Sequence, residues 1–146
     1  LDTLFNKRSG MMGLTGFGDL REVHRLVEEG NEDAKLALDI YVHRIVGYIG
    51  NYTAQMGGVD VIPFTAGVGE NDDVVRKMVC DKLAPFGVKL DEEKNATRSK
   101  EPRIISTPDS AVTICVIPTN EELAIARKSA AIAEEGKDSY GNVFSK

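Results

Sequence analysis

The feature that most constrains this chain is a change of hydrophobic period at Gly57-Gly58. Before it, apolar residues recur at helical spacing. After it comes Val59-Asp60-Val61-Ile62-Pro63-Phe64-Thr65, a short apolar run bounded by glycines that suits a buried strand. The run enters Ala66-Gly67-Val68-Gly69-Glu70-Asn71 and then a helical pattern through Val74, Val75, Met78, Val79 and Leu83. A second strand, Val112-Thr113-Ile114-Cys115-Val116-Ile117, leads through Pro118-Thr119-Asn120 into a helix predicted from Glu121 to about Glu135 and closed by Gly136. This alternation predicts an α/β domain with a mainly parallel sheet flanked by helices. Pro63 is awkward for a central strand, because it removes a ladder donor.

Residues 6–18 are glycine-punctuated and predicted as loop. Asp19 stands where an N-cap belongs, before Leu20, Val23, Leu26 and Val27 on one helical face, and Gly30 ends that helix. Asn31 opens a longer helix through Ala34, Leu38, Tyr41, Ile45, Tyr48, Ile49 and Tyr52. The tyrosine spacing reads as helix core rather than a stacking platform. Gly47 and Gly50 inside it cost roughly 1 kcal/mol each against Ala, which points to close packing there. Gly87-Val88-Lys89-Leu90 and Arg103-Ile104-Ile105 are short strand candidates around a polar, lysine-rich stretch at 91–102. The domain is expected to span 1–135, with a polar tail at 136–146.

A chain of 146 residues suits one domain, and 28% charged residues beside 42% hydrophobic ones suit a folded one. The net charge of −5, with no Lys/Arg cluster longer than two, argues against a nucleic-acid partner. No apolar run approaches the roughly 18 residues of a membrane span. Leu1-Asp2-Thr3-Leu4-Phe5 has neither a basic n-region nor an initiator Met, so no signal peptide is expected and the chain reads as if entered partway. Cys80 and Cys115 lie in no CxxC or Cys/His spacing, which suggests two buried thiols in a reducing cytoplasm. His24 and His43 each lack a second ligand at metal spacing and read as structural.

Three segments could carry chemistry. The turn Gly67-Val68-Gly69-Glu70-Asn71 lies between a strand and a helix, where glycines let a backbone approach a ligand and a helix start favours an anion. It is neither a Walker A nor a complete GxGxxG, since Asp72 takes the third glycine's place. The alternative is a plain tight turn. Thr119 and Glu122 have the spacing of a capping box, which would leave Glu121 free at the carboxyl end of a strand, a place suited to a water-mediated Mg²⁺ contact. The alternative is an acid complementing the helix dipole. Asp19 and Arg21 could meet a ribose, base or phosphate, or be a cap and an exposed helix residue.

Taken together with Asn6-Lys7-Arg8-Ser9-Gly10 and Met12-Gly13-Leu14-Thr15-Gly16, these segments resemble the C-terminal part of the acetate kinase family in order and spacing, to about residue 133. The resemblance implies a partial RNase H-like domain of the actin-like ATPase superfamily. It implies transfer of phosphate between ATP and acetate to give acetyl phosphate and ADP, with Mg²⁺, in a homodimer. By resemblance Asp19, Leu20 and Arg21 fall on the adenosine segment. Gly67, Val68, Gly69, Glu70 and Asn71 fall on the loop embracing the nucleotide, and Glu121 on the magnesium-associated glutamate. Gly18 stands in place of a small hydroxyl residue, Leu20 in place of an aromatic or Met, and Val68 in place of Ile. The family's catalytic arginines, catalytic Asp and magnesium-binding Asn fall upstream of Leu1, so no catalytic residue is expected here and the chain alone is expected to be inactive. The alternatives are a propionate or butyrate kinase of the same family, or a non-catalytic nucleotide-binding or dimerisation module.

Overall fold

A computed structural model describes residues 1–135, and the tail expected at 136–146 lies outside the described residues. Residues 6–18 are not the expected loop. Helix α1 spans Asp2–Lys7 and α2 spans Gly10–Thr15. The glycines punctuate these helices instead of filling a loop: Gly10 (φ +62°) opens α2, and Gly16 (φ +78°) closes it. Ser9 Oγ donates to the carbonyls of Leu4 and Phe5, which satisfies the end of α1.

The next helices begin and end where the sequence puts them. In α3 (Leu20–Glu28) Asp19 is the N-cap, its carboxylate accepting from the Arg21 amide at 2.9 Å. In α4 (Glu32–Met56) Asn31 Oδ1 accepts from the Ala34 amide at 2.9 Å. The fully buried residues of α4, Ala34, Ala37, Leu38 and Val42, lie in its first half, and Tyr41, Ile45, Val46 and Ile49 pack against the core partly buried. Tyr48 and Tyr52 are 52% and 56% exposed and stack on each other at 6.3 Å, so the core reading of the tyrosine spacing holds for neither. Nothing lies within 4 Å of a Cβ built on Gly47 or Gly50, so close packing does not explain these glycines.

The second half of the chain is strand β1 (Val61–Phe64), α5 (Ala66–Asn71), α6 (Asp73–Lys82), a 3₁₀ turn at Ala84–Phe86, α7 (Glu92–Ala96), β2 (Arg103–Ile104), β3 (Thr113–Val116) and α8 (Glu121–Glu135). The sheet order is β1-β3-β2, with β1 parallel and β2 antiparallel to β3. Pro63 pairs opposite Cys115 from the edge strand β1, where a missing donor is tolerated. The strand expected at 87–90 shrinks to one antiparallel bridge, Leu90 to Ser106.

Val23, Leu38 and Val42 from the long helices meet Val75, Val79, Cys80 and Leu83, and this layer covers Phe64, Ile105, Ile114 and Val116 of the sheet region. Burial pushes the Cys80 thiol up to about 11, so it remains an inert core group. Cys115 is only partly buried, so the expectation of two buried thiols is met by Cys80 alone. Among the described residues no helix is long and apolar enough to cross a membrane.

Candidate functional site

The start of α3 and the α5 segment open onto one cavity of about 880 Å³. Gly18, Asp19, Leu20 and Arg21 line it from one side, and Gly67, Val68, Asn71 and Asp72 from the other. Two sequence segments about fifty residues apart thus share one cleft. At its mouth Arg21 Nη2 donates to Asp19 Oδ2 at 2.6 Å, and Nε reaches both carboxylate oxygens at 3.1 Å. These bonds hold the Asp19 carboxyl down to about 2, so it is ionised at any physiological pH. Cap and ion-pair partner are therefore one group. Asp19 fixes both the helix start and the exposed Arg21 beside the cleft.

The segment 67–71 is helical, not an open turn. Positive φ falls on Ala66 (+60°) at the β1–α5 junction and on neither Gly67 nor Gly69. The two glycines have different physical reasons. A Cβ on Gly69 would sit 3.1 Å from the Phe64 carbonyl carbon, so Gly69 lets α5 lie against the end of β1. A Cβ on Gly67 would meet nothing within 4 Å, so that position is open toward the cavity it lines. Asn71 Nδ2 donates back to Gly67 O at 2.8 Å and closes the short helix.

Glu70 turns away from this cavity and lines a second one of about 820 Å³, with Thr119 and Asn120. Its Oε1 accepts from the Thr119 amide at 2.8 Å and hydroxyl at 2.9 Å. This tie overturns the capping box. Thr119 is occupied by Glu70, and Asn120 Oδ1 accepts from the Leu123 amide at 2.9 Å instead, so the cap of α8 stands one residue later than the spacing suggested. Glu121 is exposed in the first turn of α8. Among the described residues no three His, Cys, Asp or Glu side chains gather to hold a metal. A single carboxylate such as that of Glu121 could meet only a cation that keeps most of its water.

The Thr119 amide and hydroxyl hold the Glu70 carboxyl below the usual glutamate range. A folded-state value below the unfolded one means the stabilisation is complete above the unfolded value and is lost as pH falls through the folded one. In thermal melts between about pH 6 and pH 3, Glu70→Gln should start less stable than the native chain and converge with it in acid. A gap that stays constant would show that this carboxylate is not the titrating group.

Sequence reasoning missed the polar groups that lock these pieces together. Arg76 is 2% exposed. Its Nη1 donates to the carbonyls of Gly69 and Glu70 at 3.0 Å, its Nε to Asn95 Oδ1 at 2.7 Å and its Nη2 to Asn95 O at 2.7 Å. Buried Asn95 in turn donates to Asp73 O at 2.9 Å. The one signal was that Arg76 stands among Val75, Val79, Cys80 and Leu83, at an apolar-stripe position of its helix. His24 Nε2 donates to Asp72 Oδ2 at 2.8 Å, while Asp72 Oδ1 caps α6 through the Val75 amide. That pair fixes α3 against the α5–α6 junction, and so one wall of the cleft against the other.

Comparison with known proteins identifies relatives along nearly the whole length. The family model described as "Acetokinase family" matches residues 1–127. An acetate kinase of Oleidesulfovibrio alaskensis is 55% identical over 126 residues, which are 86% of this chain and 31% of that protein. The crystal structure of Porphyromonas gingivalis acetate kinase superposes with a TM-score of 0.81 at 43% identity, over 90% of this chain and 33% of that one. A propionate kinase from Francisella tularensis subsp. tularensis superposes with a TM-score of 0.77 at 38% identity, over 86% and 32% respectively. The chain spans about a third of the length of the relatives it matches.

Proposed function

We propose a function from one premise: this chain belongs to the acetokinase family. Its fold is that family's actin-like ATPase fold, present in part. The chain forms the nucleotide-binding part of an acetate kinase, which transfers phosphate reversibly between ATP and acetate. The observation that carries this reading is the shared cavity, in which residues 19–21 and Gly67, Val68 and Asn71 meet.

In the forward direction acetate's carboxylate attacks the γ-phosphoryl in line and ADP leaves; in reverse ADP attacks acetyl phosphate. Here Asp19, held by Arg21, and the α5 backbone at Gly67 receive the adenosine end. Glu121 would contribute one carboxylate to Mg²⁺, which when bound neutralises phosphate charge. The Glu70–Thr119 tie joins α5 to the loop that leads to Glu121. Stabilising the phosphoryl group in flight needs several cations gathered around it. Among the described residues Arg21 is paired with Asp19 and Arg76 is buried, which leaves Arg98 as the one unpaired arginine lining the cleft. The same reading takes the reaction to the cytoplasm, in keeping with two free cysteines, and takes the working enzyme to be a homodimer.

The structural likeness to a propionate kinase supports a second reading, a sister acyl kinase of the same family. Trapping acyl phosphates as hydroxamates separates the two. The protein carrying this chain should turn over acetate more efficiently than propionate or butyrate, and a preference for the longer acids would move the assignment to the sister activity. The 146-residue chain alone should give no turnover above background. Sustained turnover by it, lost in Glu121→Ala, would show that the chemistry resides in these residues after all.

A further inference from the structure

A nucleotide brings a chain of negative charge into a cleft whose own charges are largely committed. Asp19 and Arg21 neutralise each other, and Asp72 is engaged by hydrogen bonds from His24 and the Val75 amide. Among the described residues, the remaining charged one lining the first cavity is Arg98. It is exposed, and it has no hydrogen bond or ion pair among the described residues. Arg98 also lines the second cavity, which extends past Glu70 to Pro118, Thr119 and Asn120 at the end of β3. Arg98 and Asn71 are the residues common to both cavities. A ligand that starts between Asp19 and Gly67 and reaches toward Glu121 therefore passes Arg98.

The segment that carries Arg98 is held at both ends. Three residues before it, Asn95 is clamped by Arg76 through its side chain and its carbonyl. One residue after it, Ser99 O accepts from Arg103 Nη1 at 3.2 Å, and Ser99 Oγ accepts from the Glu101 amide at 3.0 Å. A guanidinium on such a base can give two parallel N–H bonds to phosphate oxygens. Lys100 and Glu101, which line the second cavity only, offset each other in charge.

We propose that Arg98 is the residue of this chain that binds the nucleotide's phosphate chain. The proposal rests on the nucleotide reading of the cleft, and its test keeps the two apart. Adenosine, AMP and ADP are titrated by calorimetry into the protein carrying this chain, in native form and as Arg98→Gln and Arg98→Lys. The native protein should gain affinity from adenosine to ADP. Arg98→Gln should lose about tenfold or more for ADP while adenosine stays within about twofold, as expected for loss of a charge-assisted pair, with Arg98→Lys between. Unchanged ADP affinity in Arg98→Gln, with adenosine still bound, would overturn the proposal and leave the nucleotide site standing. Equal losses for adenosine and ADP would mark a merely structural arginine and overturn it too. Failure of the native protein to bind adenosine or ADP would remove the nucleotide reading and this proposal together.

Discussion

Gly67→Val should abolish adenine-nucleotide binding in the protein carrying this chain while leaving its melting temperature close to native. A Cβ at this position has nothing within 4 Å, and the residue is not in the left-handed region, so the backbone accepts a side chain. Within a helix valine is not worse than glycine, so the fold loses nothing in propensity. The isopropyl group instead projects into the cavity between α5 and the Asp19 wall, where a ligand must approach. Gly69→Ala, two residues away, should do the reverse. Its Cβ would press to 3.1 Å on the Phe64 backbone, so α5 must give by a few tenths of an ångström at an overpacking cost of about 1–3 kcal/mol, of which alanine's better helix propensity returns about 1. Calorimetry with ADP and thermal melts on both variants check this. Native affinity in Gly67→Val would show that the ligand does not enter here.

Arg76→Met should be the most destabilising single change in the site region. It removes the partners of three carbonyls, those of Gly69, Glu70 and Asn95, and of the Asn95 side-chain oxygen. Burial disfavours the guanidinium's charge and lowers its pKa, so part of the gain from these bonds already offsets that cost. With buried unpaired acceptors costing about 1–3 kcal/mol each and some regaining water, a net loss of about 3–5 kcal/mol is expected in urea unfolding. Arg76→Lys should recover only part of it, because an ammonium does not span four acceptors set around a planar fork. ADP affinity should fall as well, since the α5 turn carrying Gly67 and Asn71 is pinned by this arginine. A loss below about 1 kcal/mol would mean that the stranded carbonyls are readily hydrated.

What the sequence made legible was local. Asp19 and Asn31 cap helices because a short polar side chain beside an apolar helical face has few other uses, and Gly30 and Gly57 stop them through positive φ. The apolar runs around 61–64 and 113–116 became strands because their length and β-branched content fit little else. The segments at 19–21 and 67–71 were both singled out, but only the fold makes them walls of one cavity. What remained illegible depends on partners far along the chain. Glu70 meets Thr119 across forty-nine positions and His24 meets Asp72 across forty-eight, and no local pattern announces either pair. Thr119 and Asn120 are both competent caps, and Glu70 decides between them by occupying Thr119. Periodicity placed Tyr48 and Tyr52 on an apolar face of α4 without saying whether anything covers it. Two short helices punctuated by glycines, as at Asp2–Lys7 and Gly10–Thr15, carry the same residue signals as a loop.

Amide hydrogen exchange with and without ADP, on the protein carrying this chain, tests the nucleotide-binding claim most directly. ADP should slow exchange at residues 18–21 and 66–72 together, the two walls of the cleft, and leave residues 43–52 of α4 unchanged. Exchange at 66–72 that does not respond to ADP, or protection confined to segments outside both walls, would contradict it.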